Sequence, residues 1–184
     1  MVYVALLRGI NVGGKNKVPM PALKATFETA GMHNVVTYIN SGNVVFCCDH
    51  SPRGELARAL EAAIMAEFGF DVPVVVRSIS EYESMMKHLP AEWTNDKNAK
   101  SDVLFLQDDV DSPDVVNELS VRQGVDTVIY APGSLLWTVA RTAVTRSGMM
   151  RLAGSPIYQR MTIRNVNTTR AIAELMRRTA GECG

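Results

Sequence analysis

An excess of charge of either sign is what this chain most plainly lacks: 19 Lys and Arg are matched by 19 Asp and Glu, for a formal net charge of zero. A surface that holds nucleic acid non-specifically carries a basic excess, so the balance argues against a nucleic-acid partner. Long apolar runs are also missing. "VYVALL" near the start is short, with no basic stretch before it and no small-residue cleavage site after it. Nothing approaches a membrane span, so no membrane partner is expected. Cysteine is scarce and odd in number: Cys47, Cys48 and Cys183. Neighbours on a strand point to opposite faces, so Cys47 and Cys48 cannot chelate as a pair. The scattered set predicts reduced thiols and a cytoplasmic protein. His33, His50 and His88 lack metal-ligand spacing, and neither a metal nor another cofactor is expected. Against these absences, 47% hydrophobic and 21% charged residues over 184 positions describe an ordinary soluble globular chain.

What is present is a repeated pattern. "VYVALLR" (2–8) reads as a strand. "MPALKATFETAG" places Leu23, Phe27 and Ala30 at helical spacing, with Pro21 near its start and Gly31 at its end. "NVVTYIN" and "NVVFCCD" flank Ser41-Gly42 as a hairpin. Ser51 is placed to cap a helix with Pro52 at its first position, Leu56, Leu60 and Ile64 on one face, and Gly69 at its end. "VPVVVRS" (72–78) is a strand, and "SEYE" (80–83) reads as a capping box. A polar stretch, 90–100, reads as linker or surface loop. Then the order restarts: strand "DVLFLQ", a helix from Ser112-Pro113 to about Gln123, and strands "DTVIY" and "LLWTVAR" around a Pro132-Gly133 turn. A helical patch at 147–153, strand "MTIRN" and a helix from Asn167, capped by Asn167 or Thr168, complete it.

The inferred fold class is α+β, with two tandem ferredoxin-like βαββαβ units, antiparallel sheets and a C-terminal helix. The units are 1–78 and 102–184, joined through 79–101. A single mixed domain with one larger sheet is the alternative.

"RGINVGGKNK" (8–17) contains G-x-x-x-x-G-K, yet Asn16 stands where a P-loop needs Ser or Thr. Lys17-Val18-Pro19-Met20-Pro21 follows, and each residue before a proline is driven from the helical region. A helix therefore cannot start at Lys15, and hairpins predict antiparallel rather than parallel sheets. The glycines still suit a loop that takes positive φ and can offer N–H groups to an anion. Strand order sets this loop beside the hairpin tip "NSGN". Arg8, Asn11, Gly13, Gly14, Lys15, Asn16 and Lys17, with Asn40, Ser41 and Asn43, thus form one candidate rim for a small polar, anionic or phosphate-bearing molecule. Arg164, Asn165 and Asn167 form a third polar cluster at a helix start.

Competing readings are weaker. Tyr3 fits the stacking position of an RNA-recognition strand, but Asn43 and Val45 fall where aromatics belong. No Cys–His or Ser–His arrangement is legible, so the catalytic residues of an enzyme acting on the ligand remain unassigned. Asp108, Asp109 and Asp111 read as a solvated strand end. An exposed sheet edge would let the chain pair with a second copy as a homodimer.

"LLRGINVGGKNKVPM", "TYINSGNVVF", "DVLFL" and "YQRMTIRNVNT" together resemble the DUF1697 family, the SP0830-like bacterial proteins of unknown function. The resemblance spans nearly the whole chain and implies an α+β protein of two ferredoxin-like halves, with no activity attached. "RSGMM" (146–150) departs from it, and no role is assigned to Arg146.

Overall fold

A computed structural model describes residues 1–49 and 52–183. The expected Ser51 cap and His50 lie outside the described residues. The chain divides into two units, Met1–Tyr82 with Ile172–Gly184, and Glu83–Ala171.

The first unit contains β1 (Val2–Leu7), α1 (Met20–Thr29), β2 (His33–Tyr38), β3 (Asn43–Cys47), α2 (Arg53–Phe68) and β4 (Val74–Ser78). Its sheet is antiparallel throughout, in the order β2-β3-β1-β4. Every residue of β1 is buried, which explains why it reads as a continuous apolar run rather than an alternating one. Tyr3, Ala5 and Leu7 join Leu23 and Phe27 of α1 and Leu56, Leu60 and Ile64 of α2 in one core. Tyr3 stacks on Phe46 at 5.9 Å within that core, so its ring has no open face for a base. Helix α1 begins after Pro19, whose φ of −63° and ψ of 129° are extended, as the residue order requires. The phosphate-loop arrangement is thereby excluded: the helix starts five residues past Lys15, and no strand pair in this sheet is parallel.

Helix α3 (Ile79–Met86) has a capping box two residues earlier than expected. Glu81 accepts from the Ser78 N–H at 2.8 Å, and the Glu81 N–H donates to Ser78 Oγ at 3.3 Å. Ser80 and Glu83 also match the pattern; Arg53, which pairs with Glu81, adds a partner that selects the earlier register.

In the second unit, β5 (Ala99–Leu106), β6 (Asp126–Ala131), β7 (Ser134–Ala140) and β8 (Met161–Asn165) form another antiparallel sheet, β6-β7-β5-β8. The expected helices at 112–123 and 147–153 are instead 3₁₀ turns, Pro113–Glu118 and Gly148–Gly154, the latter flanked by Arg141–Arg146 and Pro156–Arg160. Trp137, Leu104, Leu135 and Met161 centre its core. Asp111 is no solvated strand end: it accepts from Tyr130 Oη and from the Gly133 N–H, both at 2.9 Å, and fixes the β6–β7 turn. Gly133 has φ of 82°, as the Pro-Gly turn predicts. The polar 90–98 stretch is anchored as well. The Arg170 guanidinium donates to the carbonyls of Pro90, Ala91 and Trp93, and Arg141 donates to Asp96 O and Asn95 Oδ1.

Helix α4 (Val166–Ala180) is capped by Asn165, whose Oδ1 accepts the Thr168 N–H at 2.9 Å, rather than by Asn167 or Thr168. From Ile172 onward the chain belongs to the first unit. There Asn34 Nδ2 donates to Glu182 O at 3.0 Å, and Cys183 forms a disulfide with Cys47 of β3. This corrects the expectation of three reduced thiols; Cys48 alone is free. Cysteines 136 residues apart can meet only through tertiary structure, so their spacing in the sequence carries no sign of it.

Candidate functional site

The loop after β1 folds as a miniature hairpin. Gly13 and Gly14 have φ of 59° and 76°, and the Lys15 N–H closes onto Val12 O at 3.2 Å. Two consecutive central residues with positive φ are what a type I′ turn demands, and glycine meets that demand without strain. Asn11 and Asn16, also at positive φ, flank the turn, and the Asn11 N–H donates to Asn16 O at 3.1 Å.

The loop and the hairpin tip meet. Leu7 N–H donates to Gly42 O at 2.8 Å, and Asn11 Nδ2 donates to Asn40 O at 3.1 Å. Gly42 sits at φ of 70°, and a Cβ there would lie 2.7 Å from Leu7 Cβ and 2.9 Å from Ile10 Cδ1. Glycine is therefore required twice over, by its backbone and by the close approach of β1.

The asparagines are largely engaged in this scaffold. Asn11 also closes on Val18, donating to its carbonyl at 2.9 Å and accepting its N–H at 2.8 Å. Asn16 Nδ2 donates to Gly9 O at 3.3 Å, and buried Asn43 donates to Tyr38 O at 3.1 Å. Arg8 is half-buried, with its N–H on Pro73 O. Lys15 and Lys17 differ: both are exposed, and neither has an ion-pair partner among the described residues. The N–H groups of Gly13 and Gly14 likewise donate to no described residue. Asn40 and Ser41 are exposed at the tip.

The third cluster belongs to the second unit. Arg164 is buried and donates to Thr162 Oγ1 at 2.9 Å and Ile163 O at 2.8 Å. Asn165 is the helix cap, and Asn167 Nδ2 donates to Asn95 O at 3.1 Å. These bonds hold the second unit's own backbone.

Sequence reasoning passed over a different basic group. Arg122, Arg146 and Arg151 line one pocket of 360 Å³ in the second unit. They are scattered over thirty positions, and the only local hint is the Arg146–Arg151 spacing. Among the described residues no cluster of His, Cys, Asp and Glu could hold a metal ion, and no helix is long and apolar enough to cross a membrane.

No curated protein matches the chain. Among solved structures, the conserved bacterial protein SP0830 from Streptococcus pneumoniae is similar at 30% identity and a TM-score of 0.82, covering 95% of this chain and 98% of that one. The family described as "Protein of unknown function (DUF1697)" matches residues 1–137, and the chain belongs to that family.

Proposed function

We propose that the protein binds a small anionic or phosphate-bearing molecule at the rim made by loop 8–17 and turn 40–43. The observation that carries this reading is the division of labour in the loop. Asn11, Asn16 and Gly42 fix its shape, while Lys15 and Lys17 take no part in that scaffold and stand exposed without an ion-pair partner among the described residues. Two cations and two unengaged N–H groups on a preformed loop are ready for an anion at little ordering cost. The candidate residues include no histidine or carboxylate, the groups that most often move protons, so binding is preferred to catalysis. We also read the shared strand order of the two sheets as ferredoxin-like.

Thermal unfolding over orthophosphate, pyrophosphate, nucleotides and organic acids tests the proposal. A ligand at a hundred times its dissociation constant should stabilise the fold by about 2.7 kcal/mol. Lys15→Ala with Lys17→Ala should remove that shift and change intrinsic stability by less than about 0.5 kcal/mol. A panel without effect on the wild type would sink the proposal, as would a double variant that responds normally. A cytoplasmic location is part of the proposal, and fractionation of intact cells checks it: recovery of the chain in the secreted or membrane fraction would contradict it.

A further inference from the structure

The second unit contains seven arginines, and they fall into two groups. Arg141, Arg160, Arg164 and Arg170 each hold a carbonyl, hydroxyl or carboxylate. Arg122, Arg146 and Arg151 hold none among the described residues, and all three are exposed and line the same pocket. No carboxylate lines it with them. In a chain of zero net charge, three uncompensated guanidiniums around one concavity call for an explanation.

The pocket is built on a rigid frame. Asp126, at the start of β6, accepts the Arg122 N–H at 2.8 Å, the Gly148 N–H at 2.9 Å and Trp137 Nε1 at 3.1 Å, together with the Ser147 hydroxyl. It ties the segment carrying Arg122 to the segment carrying Arg146 and Arg151. Its carboxylate is thus engaged by the frame rather than by the guanidiniums. Gly148 brings the segments into backbone contact, since a Cβ there would lie 2.0 Å from Ser120 O. Thr145 and Gln123 add polar groups to the lining, and Met150, 62% exposed, adds an apolar wall.

Guanidinium groups match phosphate oxygens two at a time, and three positive charges exceed the about −1.5 to −2 that one phosphoryl group carries at neutral pH. The volume of 360 Å³ lies in the range of small-molecule sites. We propose that this pocket binds a small molecule carrying a diphosphate or two closely placed phosphoryl groups, with Arg122 on one wall and Arg146 and Arg151 on the other. The proposal is independent of the rim in the first unit.

Titration calorimetry of the full chain with pyrophosphate, orthophosphate and a nucleoside diphosphate tests it. Pyrophosphate should bind at least tenfold more tightly than orthophosphate. Arg146→Ala and Arg122→Ala should each weaken it about tenfold, the loss of one charge-assisted hydrogen-bond pair. Arg146→Lys with Arg151→Lys should restore only part of the affinity lost in the corresponding alanine pair, because lysine keeps the charge and loses the fork. Lys15→Ala with Lys17→Ala should leave this binding unchanged, which separates it from the rim. The circular dichroism of the arginine variants should match the wild type. The proposal is overturned if none of the three probes binds the wild type, if the arginine variants bind as the wild type does, or if a duplex oligonucleotide binds through these arginines far more tightly than pyrophosphate.

Discussion

Two sheets with the same strand order are completed in different ways. In the first unit the crossovers are α1 and α2, 10 and 16 residues long, whose buried Leu23 and Phe27, and Leu56, Leu60 and Ile64, recur at four-residue spacing. In the second unit the corresponding segments contain Pro113, Gly148, Gly154 and Pro156, and they break into 3₁₀ turns. Each turn is entered from an extended residue: Ala140, Ser147 and Ser155 have ψ near 140–150°. A long helix presents one sealed apolar face. Short turns bring backbone and long side chains of distant segments together, and that is where Arg122, Arg146 and Arg151 converge. The strand pattern sets the sheet in both units, while the composition of the crossovers decides what kind of surface lies on it.

The sharpest way to break this comparison is at glycine. Gly148→Ala drives a Cβ into the Ser120 carbonyl, and a loss of about 3 kcal/mol or more is expected in the denaturation midpoint. Gly54→Ala in α2 meets nothing within 4 Å and should be neutral or stabilising by about 0.5 kcal/mol. Equal effects would mean the second unit's turns are not held by backbone contact.

The next largest effect concerns the covalent tie, which only the first unit has. Cys183→Ser, or reduction, should lower stability by about 2–4 kcal/mol, because a cross-link over 136 residues restricts the unfolded chain. Denaturant titration with and without reductant measures it; a midpoint indifferent to reductant would remove this distinction between the units.

The smallest effect sharpens the electrostatic contrast. Burial alone would raise the Asp126 carboxyl, but the bonds from Ser147, Gly148, Arg122 and Trp137 outweigh it and hold the pKa below the ordinary value. For Glu81, too, burial is outweighed, here by bonds from Ser78 with the charges of Arg53 and Arg77. A depressed folded pKa contributes stability that is present above the unfolded value, near pH 4, and is lost as pH falls through the folded one. Asp126→Asn should cost about 2 kcal/mol at neutral pH and flatten the stability profile below about pH 4. A profile as steep as the wild type's would show that Asp126 does not hold the second unit's frame.

Much of the scaffold was legible beforehand. β1, β4, β7 and β8 fell within a residue or two of the expected runs, because β-branched and apolar clusters bounded by glycine and proline identify strands locally. The meeting of loop 8–17 with turn 40–43 followed from strand order. The fate of Asn11, Asn16 and Asn43 did not, since a side-chain amide can bond equally well to a ligand or to a neighbouring carbonyl until the loop is folded. The capping box moved to Ser78 and Glu81: two overlapping matches were available, and the pairing of Glu81 with Arg53, 28 residues away, is not visible in local spacing.

By itself the sequence determined the α+β composition, the strand runs and the start of α1 beyond Pro19, since these depend on local sterics and short-range hydrophobic period. Tertiary structure decided the Cys47–Cys183 link, the Asp126 frame, the anchoring of 90–98 by Arg170 and Arg141, and the gathering of Arg122, Arg146 and Arg151. Each of these joins residues whose meeting depends on how whole strands and turns pack, and no local rule carries that distance.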